Sequence, residues 1–244
     1  MKKRALLGML TPSSNTVLEP VIGAMLADLP DVTAHFGRFR VTEISLREAA
    51  LGQFDNEPIL EAARLLADAR LDVIAWNGTS SAWLGFDADR RLCEEIERET
   101  GIPATSSVLA LNEIFAETEV SRFGLVTPYI DEIQQAIIEN YSGAGFQCVA
   151  ERHLQKHVNF EFSEVSESEI ADMTRAVAAE KPQAITILCT NMRGAPIAGA
   201  MEAELGIPVY DTVSTAVWKS MRVAGAEPRR IKGWGRLFTD MAQV

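Results

Sequence analysis

The segment Ile185-Thr186-Ile187-Leu188-Cys189-Thr190-Asn191-Met192-Arg193-Gly194 decides the fold. It starts as an unbroken apolar run with β-branched residues, the pattern of a strand buried on both faces. The run breaks off at Cys-Thr-Asn, and Gly194 followed by Pro196 opens a helix. A strand running straight into a helix is the unit of a parallel α/β sheet, and it puts the Cys189 thiol at the carboxyl edge. Ligands of open α/β sheets bind at that edge, where helix N-termini and free backbone N–H groups favour anions. A thiol in such a field is expected to have a lowered pKa and to exchange a proton near neutrality. The competing fate of a lone cysteine is a small buried hydrophobe.

Outward from this segment, strands and helices alternate along the whole chain. Strands are expected at 5–10, 32–39, 72–77 and near 104, each followed by a helix: 17–29, 59–69 with apolar Leu60, Ala63, Leu65 and Leu66, 88–100, and 107–116. A second series has strands at 123–126, 146–153, 184–188 and 209–211, followed by helices at 130–141, 167–180, 196–205 and 213–223. Helices between short apolar strands imply parallel sheets with right-handed crossovers.

The two series read as copies. Thr11-Pro12 recurs as Thr127-Pro128 (127 − 11 = 116), and Gly101-Ile102-Pro103 recurs as Gly206-Ile207-Pro208 (206 − 101 = 105). Between them, Gly78 stands where Cys189 stands (189 − 78 = 111). A repeat of this length predicts two similar α/β lobes related by a pseudo-twofold axis, each with a four-stranded parallel sheet flanked by helices, sharing one cleft. The lobes are expected to be 1–116 with the tail 217–244, and 117–216. Two thiols at mirrored positions would reach both faces of a substrate held in that cleft; here one of the two positions is glycine, so only one face is served. Asn15 and Ser14 after the first strand, Thr79 and Ser80 after the third, and Tyr129 after the fifth surround it with donors. Such a ring suits a carboxylate or the enediolate derived from it.

Composition narrows the function classes. A formal net charge of −11 with no cluster of Lys or Arg argues against nucleic acid or an anionic membrane as partner. No apolar stretch has the length of a membrane span. The start MKKRALLGML is read as the first strand, since Thr-Pro-Ser-Ser-Asn follows it and not a small-residue cleavage site. Cys93, Cys148 and Cys189 are odd in number and far apart, which implies neither a disulfide framework nor a CxxC metal site, and a reducing, cytoplasmic setting is expected. His153 and His157 lie four apart without a third ligand, so no metal is expected. No GxGxxG or GxxxxGK[ST] loop follows a strand, so no nucleotide is expected.

With these residues the chain resembles the aspartate/glutamate racemase superfamily, in the branch of arylmalonate decarboxylases and maleate cis-trans isomerases. Pro12-Ser13-Ser14-Asn15-Thr16 resembles the isomerases; Gly78-Thr79-Ser80, Tyr129-Ile130-Asp131 and the tail Gly233-Trp234-Gly235-Arg236-Leu237-Phe238 resemble the decarboxylases. The resemblance implies two pseudo-symmetric flavodoxin-like lobes, no cofactor, Cys189 as the acid/base, to which the repeat adds Gly78 as the mirrored position, and an anion hole of Thr79, Ser80, Tyr129 and the amides at Ser80, Cys189 and Thr190. Asn159 resembles a carboxylate-binding asparagine of the isomerases. The chain departs from both groups. Gly78 stands where isomerases have the thiolate that adds to the double bond, and Thr190-Asn191 follow the thiol where decarboxylases have Gly-Gly. Arg38 and Arg40 alternate on the second strand near where a substrate side group would lie, or form a solvated strand face. The expected activity is cofactor-independent decarboxylation of substituted malonate-like dicarboxylates, with isomerisation or racemisation of a small carboxylate as the alternative and simple carboxylate binding a third. A monomer or small homo-oligomer is expected.

Overall fold

The computed structural model describes residues 4–41 and 56–241. Strands β1 (Ala5–Pro12), β2 (Val32–Phe39), β3 (Val73–Trp76) and β4 (Ala104–Ser106) form one parallel sheet in the order β2-β1-β3-β4. Strands β5 (Arg122–Thr127), β6 (Gln147–His153), β7 (Ala184–Ile187) and β8 (Val209–Asp211) form a second in the order β6-β5-β7-β8. The helices are α1 (Leu18–Leu26), α2 (Glu57–Ala67), α3 (Ser81–Leu84), α4 (Asp87–Thr100), α5 (Ser107–Glu117), α6 (Asp131–Gly143), α7 (Asn159–Phe162), α8 (Glu167–Ala178), α9 (Ala195–Leu205), α10 (Thr212–Val223) and α11 (Leu237–Asp240). No helix among the described residues is long and apolar enough to cross a membrane.

Strand registers reproduce the sequence repeat independently of any motif. Leu10 pairs with Trp76 where Val126 pairs with Ile187, and Trp76 pairs with Ser106 where Ile187 pairs with Asp211. The offsets (126 − 10 = 116, 187 − 76 = 111, 211 − 106 = 105) match those between the paired motifs. The Gly-Ile-Pro pair has a backbone cause. Gly101 and Gly206 end α4 and α9 in the left-handed region, at φ 69° and 72°, and donate their N–H to Glu97 O and Glu202 O. Glycine takes that conformation without a Cβ penalty, and the proline two residues on directs the chain into β4 or β8.

The interiors of β3 and β7 are wholly buried, as their apolar runs require. Equivalent helices α5 and α10 pack on each other, Thr215 Oγ1 donating to Ser107 O at 2.8 Å, with Lys219 and Arg222 paired to Glu113 and Glu117 at the rim. One continuous core therefore runs through both halves. A second cluster, including Phe39, Leu60, Trp76 and Leu92, fills the space under α2 and α4. Three details differ from the sequence reading. Helix α1 stops at Leu26, α3 and α7 are extra short turns, and Leu65 of α2 is 70% exposed because the buried stripe runs through Ile59, Leu60, Ala63 and Leu66.

The tail returns to both halves. Arg230 pairs with Asp31 before β2 (Nη1 to Oδ2, 3.0 Å), and the Arg236 N–H donates to Glu202 Oε2 on α9 at 2.7 Å. The other Glu202 oxygen accepts the Val209 N–H of β8 at 2.9 Å. Glu202→Ala would strand both amides in a buried setting, so it should lower stability by roughly 2–4 kcal/mol and the melting temperature by about 5–15 °C. Calorimetry reads this directly, and an unchanged melting point would remove Glu202 as the pin of the tail.

Candidate active site

The carboxyl ends of β1, β3, β5 and β7 converge, and the loops leaving them supply the expected residues. Gly78, Thr79 and Ser80 follow β3, Tyr129 follows β5, Cys189 and Thr190 follow β7, and Asn15 lies between β1 and α1. Thr190 Oγ1 donates to Asn77 O at 2.8 Å, which joins the ends of β3 and β7. Asn15 Nδ2 donates to Thr190 O (3.0 Å) and Oγ1 (3.3 Å), while its Oδ1 accepts the Val17 and Leu18 N–H groups at the start of α1. Asn159, which opens α7, donates through Nδ2 to Ser14 Oγ at 2.7 Å and accepts at its carbonyl from Asn191 Nδ2 at 2.6 Å. Asn191 Oδ1 in turn accepts the Thr16 N–H at 3.0 Å. Loops from both halves are thus bound in one network of asparagine amides and hydroxyls.

Beside that network lies a line of three proton-bearing groups. Thr79 Oγ1 and Tyr129 Oη are 2.7 Å apart, and the phenol also meets the Cys189 thiol. Tyr129 is buried, with the ring of Trp83 edge-on at 5.2 Å and that of Phe162 at 5.5 Å. Burial, then the neighbouring thiol, hold the phenol well above its usual pKa, so it stays a neutral donor. Cys189 is 2% exposed. Its pKa is not lowered, as the sheet edge alone had implied; burial pushes it up to about 12. The Asn191 N–H, the Tyr129 hydroxyl and the Met192 N–H favour the thiolate but do not offset that burial, and the charge of Asp211 opposes it. The thiol is therefore protonated at neutral pH.

Ser80 stands apart from this line. It precedes α3 and lines a hollow of about 280 Å³ with Trp76, Asp89 and Arg91. Gly78 abuts the Cys189 turn through its neighbour Asn77, and its own carbonyl accepts from Ser107 Oγ at 2.7 Å. Arg38 is engaged by the first loop, donating to Ser13 O (2.9 Å) and Asn15 O (3.1 Å) and pairing with Glu19, whereas Arg40 is exposed. His153 spends its ring nitrogens on Glu151 (2.7 Å) and Asp131 (2.8 Å), and among the described residues no group of three His, Cys, Asp or Glu side chains could hold a metal.

Residues 15–238 match the arylmalonate decarboxylase family. The chain belongs to that family, in its arylmalonate decarboxylase and maleate isomerase branch. It is 26% identical over 238 residues to the arylmalonate decarboxylase of Bordetella bronchiseptica, covering 96% of each chain. It is 24% identical over 233 residues to the maleate isomerase of Geobacillus stearothermophilus, covering 91% of this chain and 92% of that one. The solved Nocardia farcinica maleate cis-trans isomerase with a covalently bound succinylcysteine intermediate shares the fold, with a TM-score of 0.88 at 22% identity over 97% of this chain and 98% of that one.

This member of the arylmalonate decarboxylase family carries a buried carboxyl that the sequence reading passed over. Asp211 ends β8 and caps α10, Oδ1 accepting the Val213 N–H at 2.8 Å and the Ser214 N–H at 3.3 Å. An aspartate between a strand end and a helix is a readable cap signal. Its nearness to the thiol is not readable, because that depends on the β7/β8 register. Burial raises the Asp211 pKa to about 7, against the N–H groups of Val213, Ser214 and Ala195.

Two predictions follow from these protonation states. First, wild type minus Cys189→Ser should show no thiolate absorbance up to about pH 10, whereas a free thiol titrates near 8.5. A midpoint at or below the free value would overturn the buried, protonated thiol. Second, folded Asp211 keeps its proton up to about pH 7, while in the unfolded chain it is lost near pH 3.9. The folded form then binds the extra proton, so stability falls as pH rises through that window. Asp211→Asn keeps the cap and has no proton to lose. Its melting temperature should gain on wild type from about pH 4 to 7 and hold level above; a gap that does not change with pH would contradict this.

Proposed function

We propose that this protein is a cofactor-independent enzyme acting on a small dicarboxylate, and that its reaction is decarboxylation of a substituted malonate. The observation that carries the reading is the line Thr79–Tyr129–Cys189, which ends in a buried, protonated thiol with glycine at the mirrored position. A protonated thiol is the proton donor that the enediolate needs at the second step of a decarboxylation. One carboxylate leaves as carbon dioxide, its bonding pair passing to the α-carbon and the remaining carboxylate as an enediolate. The enediolate oxygens are held by donors drawn from Thr79, Tyr129 and Thr190, with Asn15 and Asn159 at the other arm. Cys189 S–H gives its proton to the α-carbon on one face, and the resulting thiolate recovers a proton from water. Gly78 leaves the opposite face without an acid.

Isomerisation of maleate is the second reading, and maleate isomerases outnumber decarboxylases among the relatives. That chemistry begins with a nucleophilic thiolate, which a thiol held near 12 and a glycine at position 78 supply poorly. Incubation with α-methyl-α-phenylmalonate and, separately, with maleate distinguishes the two. Carbon dioxide and one enantiomer of the α-substituted monocarboxylic acid are expected from a prochiral malonate, and fumarate without carbon dioxide would establish the isomerase. Cys189→Ser should abolish turnover of either substrate while preserving binding. Tyr129→Phe should slow it by roughly tenfold to a thousandfold, the effect of one lost anion-hole donor.

A further inference from the structure

We propose that Trp76 is the residue that holds this site to a single thiol, by filling the space a side chain at position 78 would need. The proposal rests on the reading that Cys189 acts at the substrate carbon. Gly78 lies just past the end of β3, and the indole of Trp76, the last strand residue, occupies the space beside it. An ideal Cβ built on Gly78 would collide with Cζ2 and Cε2 of the Trp76 indole and lie 2.8 Å from Cη2, closer than real Cβ atoms approach other atoms. The backbone itself is no obstacle, because Gly78 does not have a positive φ.

The ring is held by its neighbours on one side and borders the hollow near Ser80 on the other. Trp76 is buried in the cluster under α2 and α4, tilted against Phe39 with centroids 4.9 Å apart, and its indole N–H lies beside the buried Asp89 carboxyl. The other half shows the arrangement that admits a thiol. The register match puts Ile187 at the position of Trp76, and Cys189 stands two residues on. Ile187 packs against the entry to α9: its Cγ2 and Cδ1 would lie 2.7 and 2.9 Å from a Cβ on Gly194. An isoleucine at 76 therefore imitates the half-site that already carries a thiol. Position 78 lies at the cleft, since Asn77 O is bonded to Thr190 and Thr79 to Tyr129 on either side of it.

The test is a double-mutant cycle of W76I, G78C and W76I/G78C, read by melting temperature, peptide-mapped alkylation with and without malonate, and deuterium wash-in at the α-carbon of each product enantiomer. G78C alone should melt well below wild type and show one-faced exchange. W76I/G78C should melt above the sum of the two single effects, its introduced thiol should be protected from alkylation by malonate, and exchange should appear on the second face. Additive melting shifts would overturn the proposal, because the indole would then not be the obstacle. Coupled melting with an introduced thiol that malonate leaves unprotected would also overturn it, since a side chain at 78 would then lie outside the site. If wild type turns over neither α-methyl-α-phenylmalonate nor maleate, the functional reading fails, while melting and alkylation still decide the role of Trp76.

Discussion

The hydrogen bond from Thr190 Oγ1 to Asn77 O, 2.8 Å long and fully buried, joins the two halves where each sheet ends. Two parallel sheets with the same strand order leave backbone groups at their carboxyl edges, and those groups must be satisfied once water is excluded. The chain satisfies them across the junction. Asn15 reaches Thr190 from one half while capping its own helix, Asn191 reaches Thr16 from the other, and Asn159 reaches Ser14. Short polar side chains suit this work because each amide both donates and accepts over a short lever. The site is thereby built before any ligand arrives, since its loops hold one another.

Burial then sets the chemistry. The helix-edge field that favours anions acts on Cys189 through the Asn191 and Met192 amides, yet the loss of water outweighs it and keeps the proton on sulfur. The same cause keeps Asp211 and Asp89 up at about 7 and about 6. A site whose thiol is protonated when empty differs from one that stores a thiolate. Under the proposed reaction, negative charge is delivered by the substrate and spread into the hydroxyls and amides, and the thiol is ready to give its proton to carbon. The asymmetry between the halves is equally physical: the Trp76 indole takes the space beside Gly78, and Ile187 stands at the matching strand position two residues before Cys189.

The sequence by itself determined the fold class, the parallel order of elements and the repeat, because these follow from short-range rules. Apolar runs of strand length, helical spacing, and glycine at the left-handed helix ends of Gly101 and Gly206 are each legible within a few residues. The offsets of 116, 111 and 105 between Thr-Pro, Gly78/Cys189 and Gly-Ile-Pro follow from two copies of one register. The convergence of Thr79, Tyr129 and Cys189 was legible in part, since each ends or follows a strand at one edge. What only the tertiary structure decided is everything that depends on distance through space. The acidity of Cys189 reversed direction because burial, set by packing through space and not by place in the chain, outweighs the hydrogen bonds from Asn191, Tyr129 and Met192. Leu65 fell outside its stripe, Arg38 was captured by the carbonyls of Ser13 and Asn15, and the space at Gly78 was taken by a ring two residues away. Local pattern tells which groups reach the cleft; the packing density around them decides their charge and the room left beside them.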